Sequence, residues 1–343
     1  MIAAWRLARA LADPGSVQAL DVAGWTALIA AARAERLLGS LAWRLDGLDV
    51  PPQVACILAE ARADAEVGRA AALWEAEMAR RVLAPLGLPV ILLKGTAFVA
   101  AGLAAGAGRS IGDLDILLPH HRLGEAEAAL LAGGWQPLKE DAYDDAYYRR
   151  WMHELPPLVR TESGRLIDVH HTILPPTARP TPDAALMLAD AVPLGGGLWT
   201  LSHEDMVIHA AAHLLADGDL AGGLRNLWDI DRLCREFGHE DRCFLPRLVE
   251  RSRKHELLGP VRRALRLAHR LFDTPIDVVE VSGAPLAAEL RGDRLFIRRL
   301  LARDEWGRER RPLTRLVFYI RSHWLRMPPL LLARHLWIKA RRR

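Results

Sequence analysis

Three cysteines in 343 residues, Cys56, Cys234 and Cys243, are too few and too scattered to form a disulfide framework, so a packed core must hold the chain. No window reaches 18 apolar residues without a charge, which argues against a membrane-spanning helix. The stretch MIAAWRLARALADPG puts Arg6, Arg9 and Asp13 where a secretory signal needs an unbroken apolar region. No internal repeat is present, and Gly and Pro stand at ordinary levels, 26 and 21 residues. Together these absences lead us to expect a soluble or peripheral protein of the reducing cytoplasm, with no transmembrane segment.

What remains is rich in Ala, Leu and Arg, with 51% apolar residues recurring at helical spacing through most of the length. That length and composition allow two or three structural units and predict a mainly helical protein. The net charge of +4 is uneven: residues 303–343 hold 12 Lys and Arg against three acids, leaving about −5 for the rest. The terminal sequence WLRMPPLLLARHLWIKARRR mixes Trp, Leu and Arg. It can pack on a helical bundle with solvated arginines, lie on an anionic membrane, or follow the phosphate backbone of RNA.

Residues 1–86 read as helical segments broken near Asp13-Pro14-Gly15 and Asp49 to Pro52, with a long amphipathic helix from Pro52 to Pro85. The pattern then changes. Residues 88–93 and 113–118 are short apolar runs suited to buried strands, with a helix expected over 96–104 between them. A helix after Pro119 is stopped by Gly133-Gly134, and 155–160 with 165–171 read as an antiparallel pair turned at Glu162-Ser163-Gly164. Pro175 to Pro182 marks a linker. Helices are expected over 202–216, 220–237, 240–250, 254–272, 284–302 and 312–338. The expected units are therefore an N-terminal helical segment 1–86, an α/β core 87–175 and a C-terminal helical domain 183–343.

Two elements of the core carry chemistry. In an extended strand alternate side chains share a face, so Asp113 and Asp115 project together about 7 Å apart along the chain, leaving Leu114 and Ile116 for the buried side. Paired carboxylates suit Mg²⁺, although D-x-D also occurs at ordinary strand ends and turns. Gly95-Thr96 stands where a strand meets a helix, a place where free amides and a hydroxyl can receive phosphate, and equally an ordinary helix cap. In RLIDVHH, Asp168 stands among apolar neighbours, where a charge needs a metal or an arginine partner, and shares its face with Leu166 and His170. If the strand of Asp168 lies beside that of Asp113 and Asp115, three carboxylates meet at one edge.

The succession of an apolar strand, Gly-Thr, a helix, Asp-Leu-Asp and a distant third acid resembles the polymerase-β-like nucleotidyltransferase superfamily. More narrowly, LLKGTAF, GRSIGDLDILL and RLIDVHHTI resemble an uncharacterised bacterial nucleotidyltransferase family with L-K-G, R-x-x-x-D-h-D-h-L and a later D-h-H, over residues 88–175. The resemblance implies a mainly helical α+β fold around a small α/β domain. It implies that Asp113, Asp115 and Asp168 are catalytic and bind two Mg²⁺ ions, with Mn²⁺ as a substitute, and that Gly95 and Thr96 hold the triphosphate. Lys94 and Arg109 would add positive charge. The reaction would move a nucleoside monophosphate from a nucleoside triphosphate to an acceptor, a small molecule, protein or RNA, with pyrophosphate leaving. Thr96 stands where the superfamily has Ser more often, and GLAAGAG, between Thr96 and Asp113, is expected as a flexible loop near the triphosphate.

Weaker constellations surround these. Asp229 can contribute a base or acceptor contact, with Asp231 on another side of its helix, and His170, His171 and His153 can support Asp168. His209 and His213 lie four apart, as zinc ligands can, but no Glu follows His209, and Cys234, His239 and Cys243 lack close pairs. Two other functions stay open beside the transferase: a nucleotide-binding or scaffolding protein of the same fold, and RNA or membrane binding through the basic end.

Overall fold

A computed structural model describes residues 2–139, 141–277 and 286–328. The chain up to Leu83 is helical: α1 (Ile2–Ala12), α2 (Val22–Ala34), α3 (Leu38–Arg44) and the 32-residue α4 (Pro52–Leu83). Asp21 caps α2, its carboxylate accepting from Gly24 N, and Pro52 opens α4 where no amide partner is needed. One face of α4 buries Val54, Leu58, Ala61, Ala72, Ala76, Ala79 and Leu83, small side chains that let it lie close against the elements that follow.

Seven strands form one mixed sheet: β1 (Val90–Leu92), β2 (Asp113–Leu117), β3 (Trp135–Pro137), β4 (Leu158–Arg160), β5 (Leu166–His170), β6 (Val192–Gly195) and β7 (Leu198–Thr200). Their order is β3-β4-β5-β2-β1-β7-β6. β2 runs parallel to β5 and antiparallel to β1, while β4 and β5 form the anticipated antiparallel pair. Helices α5 (Lys94–Ala100), α6 (Leu123–Ala132) and α7 (Ala142–Trp151) are interspersed among the strands. The fold is mainly helical α+β.

Three features differ from the expectation. The polar helix α7, capped by Asp141, and the edge strand β3 were not anticipated. Past the Pro-rich stretch, β7 pairs in parallel with β1, so the sheet draws strands from beyond residue 175. The sequence GLAAGAG is pinned by other elements: Glu236 accepts from Ala104 N, Arg225 donates to Ala105 O, Ser40 donates to Ala107 O, and Gly108 presses on the backbone of Gly39. A side chain at Gly108 would collide with that backbone, and its φ of +63° also favours glycine.

The rest is helical: α8 (Ala184–Ala189), α9 (His203–Ala212) continued by a π-turn over His213–Asp217, α10 (Gly223–Glu240), α11 (Phe244–Lys254), α12 (Leu258–Phe272), α13 (Leu286–Leu300) and α14 (Pro312–Arg326). One continuous apolar core runs from Ala3 through the sheet to Phe318. The helix expected over 312–338 ends at Arg326, where Met327 turns extended as its cap. Residues 329–343, with most of the basic terminal segment, lie outside the described residues.

Candidate metal and nucleotide site

The parallel pairing of β2 with β5 decides how the acids meet. In its register Asp115 stands opposite Asp168 and Leu117 opposite His170. Strand alternation then sends Leu114, Ile116, Ile167 and Val169 into the core, each 2% exposed or less. Asp113, Asp115 and Asp168 are left on the other face, with one carboxylate oxygen from each within 4.8 Å of the others. Asp113 is exposed, Asp115 buried and Asp168 half-buried.

Lys94 is the cation among them. It begins α5 directly after β1 with φ +49°, a conformation uncommon outside glycine, and its Nζ lies 2.5 Å from Asp115 Oδ1. His170 Nε2 approaches the same oxygen at 2.9 Å. Burial disfavours the charge of Asp115, but Lys94 and His170 outweigh it and hold its pKa below the ordinary carboxylate range. Burial likewise opposes the charge of Lys94, and Asp115 overcomes it, keeping the ammonium protonated. Burial keeps the His170 imidazole neutral despite the neighbouring carboxylate. Asp168 has less help: burial, then Asp115 and Asp113, outweigh the charge of Lys94 and push its pKa up to about 7. Its Oδ1 is buried without a hydrogen-bond partner among the described residues.

These properties fit a divalent cation. Three carboxylates against one lysine leave excess negative charge, all donors are hard oxygens, and one buried oxygen of the cluster has no partner among the described residues. The cluster borders a cavity of about 490 Å³ lined by Lys94, Gly95, Asp113 and Asp115 on the sheet side. His209 and His213 of α9 and its π-turn, Arg225, Asn226 and Asp229 of α10, and Glu35, Arg36 and Arg303 line the rest.

The remaining expected residues have diverse surroundings. Gly95 lines the cavity with the Arg109 side chain packed so closely on it that a Cβ would collide with the guanidinium. Thr96 is buried and does not line the cavity; its hydroxyl has no partner. Arg109 forms an ion pair with Asp229, which also meets Arg225 at 3.0 Å, so the two expected residues come together across 120 positions. Asp231 faces away, buried with Arg232, Arg235 and Thr274. His203 stacks on Phe237. Neither His209 and His213 nor the cysteine region belongs to a metal-holding group among the described residues. Sequence reading missed the cavity wall from Glu35, Arg36 and Arg303, since nothing local marks residues brought in by distant helices.

The model of a family described as uncharacterised nucleotidyltransferase matches residues 21–273, which is most of the chain. The chain belongs to this nucleotidyltransferase family. The match runs from just before α2 to the end of α12 and so covers every strand of the sheet, the acids and most of the cavity wall. α13 and α14 lie beyond it. No curated protein matches the chain.

Proposed function

We propose that the chain is a Mg²⁺-dependent nucleotidyltransferase that moves a nucleoside monophosphate from a nucleoside triphosphate to an acceptor, releasing pyrophosphate, in the cytoplasm. The observation that carries this reading is the convergence of Asp113, Asp115 and Asp168 from two paired strands beside a cavity, with an unpaired buried oxygen on Asp168. These three residues would hold the metal, which when bound neutralises phosphate charge and stabilises the attacking and leaving oxygens. Lys94 fixes Asp115 in place and adds positive charge at the floor of the cavity. Asp168, the third carboxylate of the cluster, would take the proton from an acceptor hydroxyl. Gly95 leaves the room that keeps Arg109 over the start of α5, where its guanidinium can turn from Asp229 to a phosphate. The catalytic unit is residues 87–175 with β6 and β7 completing its sheet; the helices of 1–86 and 183–343 wall the cavity.

Incorporation of label from α-³²P nucleoside triphosphates into cell-extract acceptors, with Mg²⁺ or Mn²⁺, tests this reading. Asp113→Asn and Asp115→Asn should abolish it in folded protein. Undiminished incorporation refutes it, and metal-dependent triphosphate binding without pyrophosphate release for any acceptor would leave a nucleotide-binding scaffold instead.

One observation favours a contact at the C-terminal end. α14 carries no acid, and Leu313, Leu316, Val317, Ile320 and Trp324 recur along it at helical spacing, each 47% exposed or more. An apolar row on a helix bearing Arg315 and Arg326 suits an anionic lipid surface better than RNA. Co-sedimentation with phosphatidylserine vesicles, lost in Leu316→Glu/Ile320→Glu, is the expected result; salt-sensitive RNA binding without vesicle binding reverses the choice.

A further inference from the structure

His170 has a second acidic neighbour. Its Nε2 lies 3.5 Å from Glu154 Oε2, and His153 Nε2 lies 3.8 Å from that same oxygen. The two imidazole rings are 5.2 Å apart and tilted by 35°. One ligand atom from each of His153, Glu154 and His170 falls within 4.8 Å of the others.

Backbone pairing sets these donors in place. Glu154 bridges His170 in antiparallel fashion, Leu155 N donates to Val169 O at 2.9 Å, and His171 N donates to His153 O at 2.9 Å. The segment after α7 is therefore stitched to β5 on both sides of Glu154. The two imidazoles are buried, and Nδ1 of each has no hydrogen-bond partner. The His153 ring makes no hydrogen bond among the described residues, since Glu154 stands beyond bonding distance. Buried polar groups are usually completed by protein, water or a ligand, and a metal is one that two imidazoles can share.

We propose that His153, Glu154 and His170 form a second metal site, for a borderline divalent cation such as Zn²⁺, separate in its ligands from the three aspartates. Two imidazole nitrogens and one carboxylate are the donors such a cation takes, whereas the all-oxygen aspartate cluster suits Mg²⁺. Three protein ligands leave one coordination position for water or substrate. A metal-bound histidine commonly hands its other ring N–H to a carboxylate. Asp115 Oδ1 accepts from His170 Nε2 at 2.9 Å, so a metal on this ring takes the free Nδ1 and leaves Nε2–H to brace Asp115.

Metal-free full-length protein is titrated with Zn²⁺ and, for its absorption bands, Co²⁺, in the Asp113→Asn background so that the aspartate cluster is disabled. One equivalent is expected, with Co²⁺ bands of low coordination number. His153→Ala and Glu154→Gln should each weaken binding at least about tenfold while circular dichroism stays unchanged. If His153→Ala fails to fold, the near-isosteric Glu154→Gln decides. Absence of stoichiometric Zn²⁺ binding, or affinity unchanged in Glu154→Gln, overturns the site whether or not the chain transfers nucleotides.

Discussion

Among the C-terminal helices each deeply buried aspartate is matched by arginine, whereas in the sheet three aspartates share one lysine. Asp205 meets Arg251 at 2.5 Å and His255 at 3.1 Å; Asp293 meets Arg266 at 2.7 Å and Arg263 at 3.0 Å; Asp231 meets Arg235 at 2.9 Å. Among the described residues Asp113, Asp115 and Asp168 have only Lys94 as a full cation, and it reaches Asp115. Where a buried charge serves architecture, the chain supplies its own counter-charge. Where the chain withholds it, the excess negative charge suits the reversibly bound cation proposed above.

The widest separation between the two regions is expected in turnover. Asp115→Asn should lower nucleotide transfer by on the order of 10²–10³-fold, while folded Asp205→Asn keeps nearly full activity, as pyrophosphate release will record. Stability should respond the opposite way. Asp293→Ala strands two arginines and should cost about 3–5 kcal/mol in urea unfolding. Asp168→Asn removes a like charge and should stabilise metal-free protein by on the order of 1–2 kcal/mol at pH 8. Equal losses from both variants would erase the distinction.

The pH dependence sharpens it further. The folded chain lifts Asp168 from 3.8 to about 7, so between those values the folded state binds a proton that the unfolded state has released. Metal-free stability from this group should therefore fall as pH rises from about 4 to about 7, then level off. Mg²⁺ affinity should rise over the upper part of that range with proton release, visible by calorimetry in buffers of different ionisation enthalpy. Identical heats in the two buffers would sink this. The smallest effect is expected at Gly95→Ala, where the new methyl displaces the flexible Arg109 side chain from Asp229. Stability should drop by less than about 1 kcal/mol while triphosphate affinity weakens, a split that binding and melting curves together would reveal.

The aspartates were legible because strand periodicity is short-range: Asp113, Leu114, Asp115, Ile116 and their counterparts around Asp168 state which side chains share a face. Their meeting required only that β2 and β5 be neighbours, which the family resemblance implied. The counter-charges were not legible. Arg109 and Asp229 are 120 residues apart, and Lys94 reads as a phosphate ligand until β1 is seen beside β2. The strands at 192–200 escaped because each is only three or four residues long, too short for a period to register. Glu154 carried no signal, since its place opposite His170 is a property of a bridge between segments.

Asp115 and Asp168 are direct cross-strand partners, and successive residues of a strand alternate faces. A slip of one residue between β2 and β5 would turn a carboxylate into the apolar layer and bring Leu114 or Ile167 outward. Under the proposed function the three aspartates double as an alignment gauge: a chain that binds Mg²⁺ with full stoichiometry would have registered its central strands correctly. Single-residue insertions in β5 could be sorted by metal titration alone, without solving another structure.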